Sequence, residues 1–517
     1  MVVVLQILFI CSLSSWQYSN GAKILGIFSL PARSHYSLAE KLMKGFARVG
    51  HDITMVAPYP TENLPKNVTW EDIIVEGVVE KHKANMVGLM LKDSHRSAME
   101  KLIIYQHTVL NHVNQTLFSF KVKALLSPTN KFDIVIIAML YNEAHKYYAH
   151  YFECPLIVLG SMGATPFLNN IVSNPSPPSY VQYYLGAEDF SFDNFWHRFS
   201  NFFDYIFDFL VDYFYIRPVQ NKLLQRAFPG APPVDEIPTS LVFINSHESF
   251  MEPVPLVPNM IPIGGYHVEQ PKQLPKDLKQ FLDGATNGAI YFSMGSNLNV
   301  NQMEKKQIFF NVFGKLKEIR VLCKYADENF SNMSRNVLVK SWMPQNDILA
   351  HPNIKLFITH GGQLSTIESV YHAVPILAIP VFGDQFRNAK RAAKLGFGLE
   401  IGYNNERFNE ETLLNYIEEL LANPKYKENA KERSAIFHDR PLKPMENAVF
   451  WLEHVLRHKG ADHLKVSGID LPLYKYLMLD VVGSLILLIL VFLYSVRLVF
   501  EMVMRLFTCS RKKEKEN

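Results

Sequence analysis

Lys355, Leu356, Phe357, Ile358, Thr359, His360, Gly361, Gly362, Gln363, Leu364, Ser365 is the stretch from which the fold can be read. Lys355 to Thr359 is a short apolar run of strand length, His360, Gly361 and Gly362 interrupt it, and helical spacing begins at about Gln363. A strand that stops at glycines and passes into a helix presents backbone N–H groups and the positive end of the helix dipole. An anion, and a diphosphate in particular, suits that place. Glycines allow close approach to the backbone, His360 can donate to a phosphate oxygen, and the Ser365 hydroxyl can add a further bond. Ser365, Thr366, Ile367, Glu368 also spells a capping box, with Glu368 returning to the serine N–H, and spacing alone does not separate the two readings.

The same alternation extends in both directions. Towards the C-terminus, Ile376 to Ile379 and Gly398 to Ile401 read as strands; before it lie Ala289 to Ser293, Val321 to Lys324 and Val337 to Ser341. An earlier series comprises Ile24 to Leu30, Ile53 to Ala57, Phe132 to Ile137, Leu156 to Leu159 and Leu241 to Asn245. Strands alternating with helical periodicity predict parallel sheets covered on both faces. Met251 to Gly265, with four prolines and two glycines, separates the two series as a linker. Two doubly wound domains then face each other across a cleft at the carboxyl ends of their strands, where such sheets bind ligands. No Gly-x-Gly-x-x-Gly fingerprint with a following acidic residue is present, which argues against a nicotinamide-linked dehydrogenase.

A length of 517 residues, 48% of them hydrophobic, is too much for one core and agrees with two domains plus extras. The net charge of +3 leaves no polybasic stripe, so nucleic acid is not an expected partner. Val2 to Leu13 followed by the small, polar Ser14 to Gly21 has the layout of a cleaved signal peptide, although it lacks a basic n-region; a first core strand is the poorer reading. Leu477 to Phe500 reaches the ~20 apolar residues a bilayer requires. The basic residues beyond it (Arg505, Arg511, Lys512, Lys513, Lys515) place the tail in the cytosol and the bulk of the chain in a lumen; a buried helix is the alternative. The final Lys513, Glu514, Lys515, Glu516, Asn517 reads either as a lysine-based retrieval signal of the endoplasmic reticulum or as a solvated tail. Sequons at Asn67, Asn114, Asn329 and Asn332 fit a lumenal glycoprotein, whereas Asn174 is excluded by Pro175. The four cysteines, Cys11, Cys154, Cys323 and Cys509, suggest no disulfide framework. Phe190 to Tyr215 crowds aromatic residues among aspartates at helical spacing; core packing, a greasy lid and a surface lying on a bilayer are all open to it.

Trp342, Met343, Pro344, Gln345, then His351, Pro352, then Phe357 to Gly362, then Ser365, Glu368, Pro375, Pro380, Asp384 and Gln385 resemble the signature of the UDP-glycosyltransferases, of an animal and invertebrate type. The resemblance extends over nearly the whole chain and implies a GT-B fold in the α/β class. Its parts would be a signal peptide (1–21), an N-terminal acceptor domain (22–250), a linker (251–280), a C-terminal UDP-sugar domain (281–440), a return and juxtamembrane segment (441–476), a transmembrane helix (477–500) and a cytosolic tail (501–517). It further implies that Glu368 binds the ribose hydroxyls, that Trp342 stacks on uracil with Gln345 at the base or ribose, and that Asp384 and Gln385 hold sugar hydroxyls. Ser293, Met294, Gly295, Ser296 resembles the phosphate-side loop, with Ser296 as the contact. For Trp342 the competing reading is core packing, and for Asp384 a helix cap.

In the first domain His35, expected in the loop after Ile24 to Leu30, occupies the place of the catalytic base; helix capping or plain exposure is the alternative. An imidazole there takes the proton of an acceptor hydroxyl as it attacks the anomeric carbon. The resemblance implies inversion, a UDP-sugar co-substrate without cofactor or metal, a lipophilic phenol- or steroid-like acceptor, a detoxification role, a membrane partner and scope for a homo-oligomer. Asp384 and Gln385 suit glucose best and do not exclude glucuronate, galactose or xylose.

Two positions depart from the pattern. An acidic residue ordinarily follows the strand Phe132 to Ile137 to orient the base, and this chain has Ala138, with Glu143 the nearest carboxylate and His145 close by. Without that partner a catalytically weakened UDP-sugar or lipophile binder becomes the rival function. Ala373 stands where a glycine commonly precedes Val-Pro, which reads as a small packing change.

Overall fold

The computed structural model describes residues 21–82, 96–186, 190–295, 303–325 and 334–515, with side chains described to residue 505. The expected leader, Ser296 and the sequons Asn329 and Asn332 lie outside these residues, while Asn67 and Asn114 are both exposed.

The first sheet comprises β1 (Lys23–Ile27), β2 (Asp52–Ala57), β3 (Trp70–Ile74), β4 (Ile134–Ala138), β5 (Leu156–Gly160), β6 (Leu241–Ile244) and β7 (Met260–Pro262). Its order is β3-β2-β1-β4-β5-β6-β7, parallel throughout. The second comprises β8 (Ala289–Ser293), β9 (Arg320–Lys324), β10 (Val337–Lys340), β11 (Ile354–Thr359), β12 (Ile376–Ala378) and β13 (Gly398–Glu400), ordered β10-β9-β8-β11-β12-β13 and also parallel. Central strands such as Leu156–Gly160 and Ala289–Ser293 are buried at every position, which is why they read as unbroken apolar runs. In each sheet the strand order reverses beside the first strand, between β1 and β4 and between β8 and β11. These are the switch points at which doubly wound sheets place ligands.

Two strands were not expected from the pattern. β3 carries Glu71 and Asp72, the charges an edge strand uses against stray pairing. β7 is three residues long, contains Pro262 and lies inside the stretch expected to be linker; proline is tolerated because the strand is at the sheet edge.

Helix α1 (Arg33–Arg48) follows β1, and α2 (Ala98–Phe118) opens with a capping box of Ser97 and Glu100. The aromatic segment forms α3 (Phe195–Val211), turned inside out: Asn201, Asp204 and Asp208 are buried, while Phe195, Trp196, Phe199, Phe202 and Phe203 face outward. The Asp208 carboxylate is met by other polar groups, accepting from the hydroxyls of Tyr141 and Tyr183. Burial nonetheless pushes the Asp208 carboxyl up to about 6. The core-packing reading of these aromatic side chains is thereby excluded.

In the second half, α4 (Gln363–Tyr371) follows β11 and α5 (Gln385–Lys394) follows β12. Then α6 (Pro444–Arg457) returns to the first sheet, where Ala448, Leu452 and Val455 join the core of Ile24, Leu42 and Phe46. The chain therefore crosses between the halves twice, and the crossings touch. Arg440 Nη1 donates to Gly264 O at 3.1 Å, and the Phe437 ring occupies the space a Cβ at Gly265 would need.

Residues 465–517 form a separate compact unit. Its helix α7 (Leu479–Lys515) starts after Met478, whose φ is +53°, and runs past the expected end at Phe500 because no proline or glycine follows. Leu479–Arg505 is long and apolar enough to cross a bilayer.

Candidate active site

A cavity of about 380 Å³ opens between the carboxyl edges of the two sheets. It brings together His35, Gln345, His360, Gly362, Ser365, Glu368, Asp384 and Gln385 from widely separated parts of the chain. The parallel strands make this possible, since each delivers its following loop to the same edge. Gly361 sits behind this lining. Its φ of +77° is one that only glycine adopts without strain, and it lets the chain leave β11 and enter α4.

His360 is held in a clasp of glycines. A Cβ on Gly362 would lie 2.4 Å from its Nε2 and one on Gly295 2.7 Å from its Cε1, so both positions must lack a side chain for the ring to fit. Burial first, and then the positive Lys324, hold His360 down to about 4. The ring is therefore neutral near pH 7 and offers one N–H at the amino end of α4.

The two readings of Ser365 and Glu368 are now separated. Gly362, not Ser365, caps α4, and Glu368 Oε2 accepts from Gln345 Nε2 at 2.6 Å. Gln345 Nε2 also reaches Ser365 Oγ at 3.1 Å. Three side chains from two elements are thus linked at the cavity wall. Burial pushes the Glu368 carboxyl up to about 7, opposed by the Gln345 bond and by Lys41 and Lys324.

Asp384 occupies the cap position of α5, yet its side chain makes no cap bond; Oδ2 instead accepts from Asn388 Nδ2 at 2.7 Å. Its carboxyl is raised by burial, with Arg387 and Asn388 opposing. Gln385 Oε1 accepts from the N–H groups of Val381 and Phe382 at 2.9 and 3.1 Å, which leaves the amide NH₂ to face the cavity. Trp342 does not line the cavity and is 68% exposed, a free ring face beyond β10 rather than core. Lys324, which the sequence reading passed over, lines the cavity at the end of β9. The available signal was a lysine closing an apolar strand of a doubly wound sheet.

Residues 30–515 match the family described as UDP-glucoronosyl and UDP-glucosyl transferase. The chain belongs to that family of UDP-glycosyltransferases. It is 35% identical over 487 residues to UDP-glycosyltransferase UGT5 of Dactylopius coccus, covering 92% of this chain and 91% of that one. UDP-glucosyltransferase 2 of the same insect is 34% identical, with 96% of each chain covered. UDP-glucuronosyltransferase 1A8 of Rattus norvegicus is 28% identical, with 90% and 88% covered. Among solved structures, the calicheamicin glycosyltransferase CalG4 superposes with a TM-score of 0.55 at 18% identity, over 85% of this chain and 99% of that one. The two facing sheets are accordingly a GT-B fold.

On the first sheet of this UDP-glycosyltransferase, His35 lies in the first turn of α1 rather than in a loop, because the helix already opens at Arg33. Its Nδ1 is 3.4 Å from the Ser34 hydroxyl. Burial, then His82, holds its ring down to about 4. His35 also lines a second, small cavity with Ala138, Asn142, His112 and His145. The structure does not bring Glu143 to either cavity. The 3₁₀ turn Glu143–Lys146 sends its carboxylate to Gln220 Nε2, in a buried network with Lys146 and Asp212, while Asn142 and His145 turn towards His35.

Proposed function

We propose that this chain transfers a hexosyl group, glucose in preference, from a UDP-sugar to a hydroxyl of a small lipophilic acceptor, with inversion and with His35 as general base. The reading rests on one observation: His35 lines the same cavity as the family's motif residues Gln345, His360, Glu368, Asp384 and Gln385. The departing diphosphate would be met by the amino end of α4, the His360 N–H and Lys324, donors aimed where its charge develops. With protein donors in those places the reaction would need no metal. Trp342 would stack on the uracil, Glu368 would accept from the ribose hydroxyls, and Asp384 with the Gln385 amide would hold the sugar.

The chain would sit in the membrane of the endoplasmic reticulum, signal peptide removed, with its catalytic part lumenal and glycosylated at Asn67 or Asn114. The outward aromatic face of α3 would lie on the lipid surface, a disposition supported by its buried aspartates.

Microsomes carrying the chain, given UDP-glucose and a panel of phenols, should release UDP only with acceptor, and His35→Ala should lower that release by about 10²–10⁴-fold. Ala138 favours one other reading, a protein that binds UDP-sugar without transferring it. Tight UDP-glucose binding with no acceptor-dependent release would establish that reading instead.

A further inference from the structure

The small cavity behind His35 occupies the place where a carboxylate at position 138 would point. Its volume is about 20 Å³, room for one water, which needs ~10–15 Å³ and two to four polar partners. Asn142 determines what such a water would meet. Its Oδ1 accepts the Leu140 N–H at 2.6 Å, so its amide NH₂ is the group that lies 2.9 Å from Ala138 O and 2.9 Å from His145 Nδ1. An amide nitrogen only donates, so His145 Nδ1 accepts, and the neutral ring carries its proton on Nε2. Burial, with His112 beside it, keeps the His145 ring neutral, held down to about 3. That Nε2–H is buried and has no protein partner among the described residues. Buried donors of this kind are ordinarily satisfied by an internal water.

We propose that the cavity is a binding site for one ordered water that takes over the orienting role of the missing carboxylate, with His145 as the positioning residue that holds it. The water oxygen accepts from His145 Nε2–H and from the cavity-facing N–H of His35, and donates to His112. In that arrangement His35 carries its proton on the cavity side and its lone pair towards the cleft, the tautomer a general base requires; a water, unlike a carboxylate, can also donate, so it stabilises this tautomer without enforcing it. In the transfer, the acceptor O–H proton moves to that lone pair and the acceptor oxygen bonds the anomeric carbon. The bond to the UDP oxygen breaks with its electron pair, and the proton on His35 later passes to solvent. The charged and titratable groups around His35 are His82, which acts on it through its charge, His112 and His145 in the small cavity, and Arg33, Glu40, Glu62, Lys324, His360, Glu368 and Asp384 lining the cleft. No carboxylate lines the cavity, so the water orients His35 without neutralising its imidazolium. Acidic acceptors, phenols above aliphatic alcohols, are the substrates such a base serves.

The inference rests on His35 as base and is tested on the full chain in microsomes with UDP-glucose, a phenol and a primary alcohol. His145→Ala should lower kcat by about 10²-fold, leaving UDP-glucose affinity unchanged, and His145→Gln, which keeps a donor, should retain most of the rate. Ala138→Asp should restore the rate in the His145→Ala background. By itself it should raise alcohol turnover at least about tenfold and narrow the preference for phenols. Wild-type kcat in His145→Ala, or a loss that Ala138→Asp does not restore, overturns the proposal while leaving His35 as base. Should His145→Ala lose UDP-glucose binding, the Ala138→Asp single variant decides, and no gain on the alcohol overturns it. Acceptor-dependent release undiminished in His35→Ala removes both readings together.

Discussion

The two edges that meet at the cleft are built on opposite principles. On the second sheet nearly every group is tied to another: Gln345 to Ser365 and Glu368, Asp384 to Asn388, Gln385 to the backbone of its own loop, His360 between two glycines. On the first sheet His35 has one long contact with Ser34 and a set of neutral imidazoles behind it. A nucleotide-sugar is the same in every turnover, so its site gains from being held in shape before binding. The first edge, by contrast, has His35, the proposed base, supported only through neighbours that carry no fixed charge.

The largest test of this contrast is His35→Ala. If the first edge depends on a single side chain, kcat should fall by about 10²–10⁴-fold while UDP-glucose affinity stays within about twofold, read from acceptor-dependent UDP release and from titration calorimetry.

Next is the clasp. Gly362→Ala places a methyl against the His360 ring and should lower kcat/KM by about 10²-fold, the scale of losing one preorganised donor. Gly295→Ala should do the same, since a Cβ there meets the ring at both Cε1 (2.7 Å) and Nε2 (2.8 Å) and the φ of +81° strains any L side chain. Unchanged kinetics in both would mean that the second edge is less rigid than its contacts indicate.

Glu368→Gln should raise KM for UDP-glucose by about tenfold through weaker acceptance from the ligand hydroxyls. It should also change the pH dependence of stability in the ligand-free protein. Burial raises this carboxyl from its ordinary 4.5 to about 7, so the folded state binds the proton more tightly than the unfolded state does. The contribution of Glu368 to stability is then fully present below pH 4.5, is lost as pH rises from there to about 7, and is flat above. Thermal melts at pH 5 and pH 8 should differ less in the variant than in the wild type.

The smallest effect concerns Ala373, whose φ is +54°. Ala373→Gly relieves about 1–2 kcal/mol of left-handed strain against about 0.4–1 kcal/mol of added freedom in the unfolded chain. A rise in Tm of about a degree or two, with unchanged kinetics, is expected.

What could be read in advance follows the physics of each signal. Strands buried on both faces, such as Leu156–Gly160, announce themselves as apolar runs, whereas β3 and β7 are edge pieces whose pairing depends on a distant neighbour. The motif at Phe357 to Gly362 was legible because a strand, a glycine turn and a helix are local events. Glu143 was misplaced because a 3₁₀ turn, invisible in composition, rotates it towards Gln220 some seventy residues on. Ala373 read as a packing change and is a backbone matter. The aromatic helix was legible as a helix but not in its direction, since buried aspartates are rare and the tyrosines that meet them lie on other segments.

The paired crossings of the chain have a mechanical meaning. Were the second sheet attached by one strand of polypeptide, it would swivel like a ball on a cord. Attached twice, at Gly264–Gly265 and at Phe437–Arg440, with those points in contact, it is hung like a door on adjoining leaves. Such a mounting permits rocking about one line and resists twisting. Any rocking of the second sheet about that line would bring it towards His35 from one direction, set by the residues of the two crossings.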